Sequence, residues 1–215
     1  MADVLHRSIF IEGPAGRLEA LLWTVATPAP AFVALVCHPH PLFGGTMHNK
    51  VVYRAAKAIH AHGAPVLRFN FRGAGLSERS HDHGEGEQDD VRAALDYLTR
   101  EFPGQPILLA GFSFGSYVGL RVGCQDKRVT RLIGLGLPVD NDKVDMSFLR
   151  NCAKPKLIVQ GAQDQFGSRE NVESLFSTLP EPKRLVLVEN ADHFFTGKLD
   201  EVGAAISAWM DESNP

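Results

Sequence analysis

The stretch PILLAGFSFGSYVGL, residues 106–120, decides how the rest of the chain is read. An apolar run halts at Gly111-Phe112-Ser113-Phe114-Gly115, and apolar residues then resume at helical spacing. That pattern predicts a buried strand, a sharp turn and a helix packed back on the strand. Side chains two positions before and after the serine would meet neighbouring backbone in such a turn, so glycine is wanted at both places. The turn would hold the Ser113 hydroxyl beyond the strand end, with the free amides at the helix start aimed at the same spot. A hydroxyl is a weak nucleophile until a base takes its proton. Ser113 is therefore read as a nucleophile, and partners must come from elsewhere in the chain.

Working outward, short runs rich in Val, Leu and Ile recur at 32–37, 65–71, 106–112, 131–137, 156–160 and 184–188. Such runs suit strands buried on both faces of a parallel sheet. Upstream, 8–12 and 17–24 flank Gly13-Pro14-Ala15-Gly16 and read as an antiparallel hairpin. Helical spacing marks 47–62, 88–100, 116–124, 168–178 and 198–211, so strands and helices alternate. Glu87, Asp89 and Asp90 favour the positive end of the second helix, and Gly63 closes the first. The expected fold class is α/β, with residues 1–215 forming one domain. Residues 140–154 lack a clear period and are read as a small excursion near the site.

Two late strand ends supply the partners. His193, in Glu189-Asn190-Ala191-Asp192-His193, follows the last apolar strand and is the candidate base. Asp164 closes Gly161-Ala162-Gln163-Asp164 after the strand before it and is the candidate acid, with Asp192 as its rival. Negative charge on a former carbonyl oxygen also needs donors. One is the amide of Phe114, next to the nucleophile. The other belongs to the loop His38-Pro39-His40-Pro41-Leu42-Phe43-Gly44-Gly45-Thr46, where proline has no N–H; His40 is the first choice and Leu42 the second. Phe43, Phe166 and Phe194 flank these groups and are candidate substrate contacts, whereas Phe112 is expected to pack beneath the sheet.

HPHPLFGGTMHNKVV, FNFRGAGLS, GFSFG, GAQD and ADHFF together resemble the α/β-hydrolase superfamily, and in particular its small lidless bacterial members related to dienelactone hydrolases. The resemblance covers nearly the whole chain. It implies a mostly parallel eight-stranded sheet with helices on both faces and little or no lid, and hydrolysis of esters, thioesters or related acyl bonds without a cofactor. Dienelactone hydrolases carry cysteine at the elbow, whereas this chain has Ser113.

The 215 residues carry a net charge of −3 and no Lys/Arg cluster, which argues against nucleic acid or an anionic membrane as partner. A small-molecule acyl ester is the expected partner. The longest apolar run falls far short of a membrane span, and no export signal is read at the N-terminus. Cys37, Cys124 and Cys152 are too scattered for a disulfide framework, so a reducing cytoplasm is expected. Two histidine groups, His38, His40 and His48, and His81, His83, Glu85 and Glu87, lack a metal signature, so no metal is assigned. The loop from Arg72 to Ser77 lacks the spacing of a phosphate cradle and is read as structural.

Overall fold

Ser113 stands where one strand of a wound sheet gives way to a helix, in a computed structural model that describes residues 5–25 and 30–212. The start of the chain, read as the beginning of the fold, includes residues 1–4, which lie outside the described residues. The strands are β1 (Leu5–Gly13), β2 (Gly16–Thr24), β3 (Val33–Cys37), β4 (Val66–Phe69), β5 (Ile107–Phe112), β6 (Val129–Leu135), β7 (Lys156–Gly161) and β8 (Lys183–Val188). The helices are α1 (Lys50–Ala61), α2 (Gly86–Glu101), α3 (Phe114–Gln125), α4 (Arg169–Ser177) and α5 (Leu199–Glu212). One eight-stranded sheet has the order β1, β2, β4, β3, β5, β6, β7, β8. Its β1–β2 and β2–β4 pairs are antiparallel and the others parallel.

Alternation along the strands explains the two layers of core. On β3 and β5, Leu35 and Leu109 enter one cluster, which includes Val91, Leu95 and Leu98 of α2 and Val118 and Val122 of α3. Their neighbours Ala34, Val36, Leu108 and Ala110 enter the other, which includes Val51, Val52 and Ile59 of α1 and Val202, Ile206 and Trp209 of α5. Successive side chains point to opposite faces, so a strand covered by helices on both sides must be apolar throughout. Burying each such Leu, Val or Ile side chain contributes about 1.5–3 kcal/mol of transfer free energy.

The elements agree with the expected alternation but shift at their ends, and each shift has a local cause. Strand β4 stops at Phe69 because Asn70 N–H donates to Glu19 O and Phe71 N–H donates to His38 Nε2. Strand β6 runs 129–135 rather than 131–137, ending before Gly136, whose φ is +54°. Helix α1 starts at Lys50 rather than 47 because Asn49 Oδ1 caps the amides of Val51 and Val52. Gly63, with φ +79°, follows its C-cap as expected.

The loop after β4 is structural, as its residues suggested. Asp90 grips the Arg72 guanidinium through Nε and Nη2, and Ser77 Oγ donates to Asn70 O at 2.7 Å. Residues 140–154 include a short 3-10 turn, Ser147–Asn151. Among the described residues, no helix is long and apolar enough to cross a membrane.

Candidate active site

The turn after β5 is tight enough to decide its own residues. Ser113 has φ +53° and ψ −119°, a conformation that costs a non-glycine residue about 1–3 kcal/mol. It is held there by Ser113 N–H donating to Leu135 O, and by its carbonyl accepting from Ser116 N–H at 2.8 Å and Ser116 Oγ at 2.6 Å. A Cβ on Gly111 would lie 2.2 Å from Gly115 O, and one on Gly115 would lie 2.5 Å from both Cys37 O and His38 O. These are backbone atoms that cannot swing aside, so both positions require glycine.

The ends of three strands bring a hydroxyl, an imidazole and a carboxylate into one hydrogen-bonded string. His193 Nε2 lies 2.9 Å from Ser113 Oγ, and His193 Nδ1 lies 2.8 Å from Asp164 Oδ2. A carboxylate only accepts, so Nδ1 carries the hydrogen and Nε2 is left to accept from the hydroxyl. Asp164 and His193 are both buried, at 4% and 3% exposure. The imidazole is packed by aromatic rings: Phe112 at 5.1 Å, Phe166 at 4.7 Å and Phe194 at 5.2 Å between centroids. Phe112 is fully buried in the core beneath the site, as expected. The rival Asp192 is turned elsewhere. Its two oxygens accept from Thr196 N–H and Thr196 Oγ, each at 2.9 Å, and that backbone bond holds its carboxyl below the usual range.

Gln160 is part of this string and escaped the sequence reading. It is fully buried in β7; Nε2 donates to Asp164 Oδ2 at 2.8 Å and to Gly167 O at 2.9 Å, while Oε1 accepts from Leu137 N–H at 2.7 Å. With Phe166 N–H donating to Asp164 Oδ1 at 2.8 Å, the carboxylate has both oxygens fixed. The available signal was one amide in the otherwise apolar run Leu157-Ile158-Val159-Gln160.

The expected oxyanion donors are the Phe114 and His40 amides. Both residues line the cavity, their rings 4.8 Å apart, and neither N–H is engaged in a hydrogen bond among the described residues. Leu42, the second choice for a donor, is corrected here: its N–H donates to His40 Nδ1 at 3.3 Å, and Leu42 is not part of the cavity wall. Burial, followed by the neighbouring His81, lowers the pKa of the His40 imidazole.

Two further histidines, His38 and His81, sit within the loops around the site. Buried His38 donates from Nδ1 to Pro39 O at 2.6 Å and accepts Phe71 N–H at Nε2, joining the loops after β3 and β4. Desolvation pushes its pKa down to about 4. Fully buried Glu87 accepts from Asp82 N–H and Gly84 N–H at 2.8 Å each and lies 2.8 Å from His81 Nδ1. Glu87 thus stands in the first turn of α2, as expected, and also organises the loop that carries His81 against His40.

A cavity of about 270 Å³ opens at Ser113. Its walls include Phe43, Phe166 and Phe194, with Pro138, Asn141 and Val144 from the segment after β6, so the excursion at 140–154 does contribute to the pocket. Phe43 is 86% exposed at the rim.

The comparisons with known proteins agree with this architecture. A family model for the alpha/beta hydrolase domain matches residues 35–211. An uncharacterised protein of Rickettsia prowazekii (strain Madrid E) is 38% identical over 209 residues, spanning 94% of this chain and 87% of that protein. Among solved structures, an alpha-beta serine hydrolase homologue from Coxiella burnetii is 38% identical, covers 94% of this chain and 96% of its own, and superposes with a TM-score of 0.87. A member of the α/β serine hydrolases without a lid, from Xanthomonas campestris, is 34% identical, covers 100% and 98%, and gives a TM-score of 0.88. On its fold and on these matches, the chain belongs to the alpha/beta hydrolase family.

Proposed function

We infer that the protein is a serine hydrolase, a carboxylesterase for small or medium acyl esters. One observation carries the reading: the string Ser113 Oγ, His193, Asp164 ends at an apolar cavity, with its donor and acceptor order fixed by the carboxylate. His193 Nε2 takes the hydroxyl proton as Ser113 Oγ forms a bond to the ester carbonyl carbon. Asp164 steadies the resulting imidazolium, and the amides of Phe114 and His40 receive the oxyanion. Collapse of the tetrahedral species breaks the bond to the alcohol, which leaves with the proton from His193. Water, deprotonated by His193, then releases the acid from the acyl-enzyme and restores Ser113. No step needs a metal or nucleotide. Phe43, Phe166 and Phe194 are assigned to the substrate's apolar portion. The three cysteines, all free, fit a reducing cytoplasm.

Fluorophosphonate labelling followed by peptide mapping tests the assignment. Ser113 should be the labelled residue. An inert protein, or label on another residue, overturns the reading in favour of a binding scaffold. A panel of p-nitrophenyl esters, acyl-CoAs and peptides places the acyl substrate, with fastest turnover expected on the esters.

A further inference from the structure

Besides Ser113, His193 and His40, the residues lining the cavity include two asparagines, Asn49 and Asn141, among largely apolar neighbours. Both amides are held by their oxygens. Asn49 Oδ1 accepts from Val51 N–H at 2.9 Å and Val52 N–H at 3.4 Å as the cap of α1. Asn141 Oδ1 accepts from Lys143 N–H at 3.0 Å. Its backbone is pinned in the same turn, where Asn141 N–H donates to Pro138 O at 3.2 Å and Asn141 O accepts from Val144 N–H at 2.8 Å. An amide whose oxygen already meets backbone donors is fixed against a flip, because the exchanged NH2 would face another N–H. The group left over is Nδ2 in both residues, two N–H bonds with no hydrogen-bond partner among the described residues.

Asn49 is half-buried and Asn141 exposed, so both NH2 groups are solvated in the free protein; a plain hydrocarbon chain lying against either one would displace its water and return nothing to it, which disfavours that binding. An oxygen placed opposite either amide removes that penalty. The wall contains no Lys or Arg to balance an anion, so the fitting acceptor is uncharged. We propose that Asn49 and Asn141 select esters bearing a second, uncharged oxygen, an ether, hydroxyl or ketone. The proposal rests on the ester-hydrolase reading and names the substrate class for that same site.

The test uses matched pairs: p-nitrophenyl hexanoate against its three single-oxa analogues for the acyl side, and heptyl butanoate against 2-butoxyethyl butanoate for the alcohol side. Wild type is compared with Asn49→Asp, which keeps the capping oxygen and removes the NH2, and with Asn141→Ala, which removes the donor without adding charge. Thermal unfolding confirms that each variant is folded. The preference in kcat/KM for at least one oxygen-bearing ester over its hydrocarbon match should fall about 3- to 10-fold on losing the responsible donor. Comparing the same ratio between wild type and variant cancels the intrinsic reactivity of the esters. Identical ratios in wild type and both variants, across every pair, overturn the selection. A wild type that cleaves none of these esters overturns the ester reading, and the selection with it.

Discussion

Gln160 shows how far a single side chain reaches in this site. Its amide touches Asp164, Gly167 and Leu137 from inside a strand. Replacing it with leucine would leave the Leu137 N–H buried and unpaired and remove one of the bonds that orient the carboxylate. Gln160→Leu should therefore lower kcat about 10- to 100-fold with KM little changed, and cost about 1–3 kcal/mol in denaturant unfolding. Ser113→Ala should cut turnover by about 10⁴ to 10⁶ while the protein stays folded, and Asp164→Asn by about 10⁴. Measured burst and steady-state rates on one p-nitrophenyl ester check both. His38 sets a pH dependence of stability. Its folded pKa, about 4, lies below the ordinary 6.5, so only the unfolded chain takes up the proton between those values. The stabilisation is complete above pH 6.5 and is lost as pH falls towards 4. His38→Gln, whose amide oxygen can still accept the Phe71 N–H, should flatten that part of the curve of melting temperature against pH. An unchanged slope would refute this role.

Among the elements, the elbow was the most legible from the sequence and the loop after β3 the least. Gly111 and Gly115 are dictated by contacts with backbone oxygens, a constraint severe enough to write itself into residue type. Gly111→Ala is expected to abolish activity and to lower stability by about 3 kcal/mol, the upper end of the cost of overpacking a core. The acid was legible as well: Asp164 is preferred to Asp192 on sequence, since Asp192 adjoins the histidine, and the hydrogen bonds place Asp164 on His193 and Asp192 on Thr196. In the loop His38 to Thr46, the fate of each amide depends on a 3-10 turn, Pro41–Phe43, that a proline-rich string does not announce. That is why Leu42 remained an alternative until its bond to His40 Nδ1 was seen. Gln160 was missed for a related reason: periodicity locates a strand, whereas the use of its single polar residue depends on what one earlier loop and one later loop bring beside it. Strand ends drifted for the same cause, as at Phe71, whose N–H is claimed by His38 from the loop after β3.

At the scale of the whole molecule, the two apolar clusters share one sheet, so strain in either face reaches the same strands. Leu109→Ala, at a fully buried position, should cost about 2–5 kcal/mol and lower the melting temperature of the protein as one transition. The alternation of strands and helices was readable because both faces of β3 and β5 demand apolar residues, a requirement set by the architecture and independent of which side chains fill it. The described residues place the candidate catalytic cavity at an open mouth, with Phe43 standing 86% exposed at the rim. Among the described residues no gate covers the cavity for an oil–water boundary to prise apart. The enzyme's velocity should rise as a smooth hyperbola with dissolved ester, without a jump where the ester begins to form droplets.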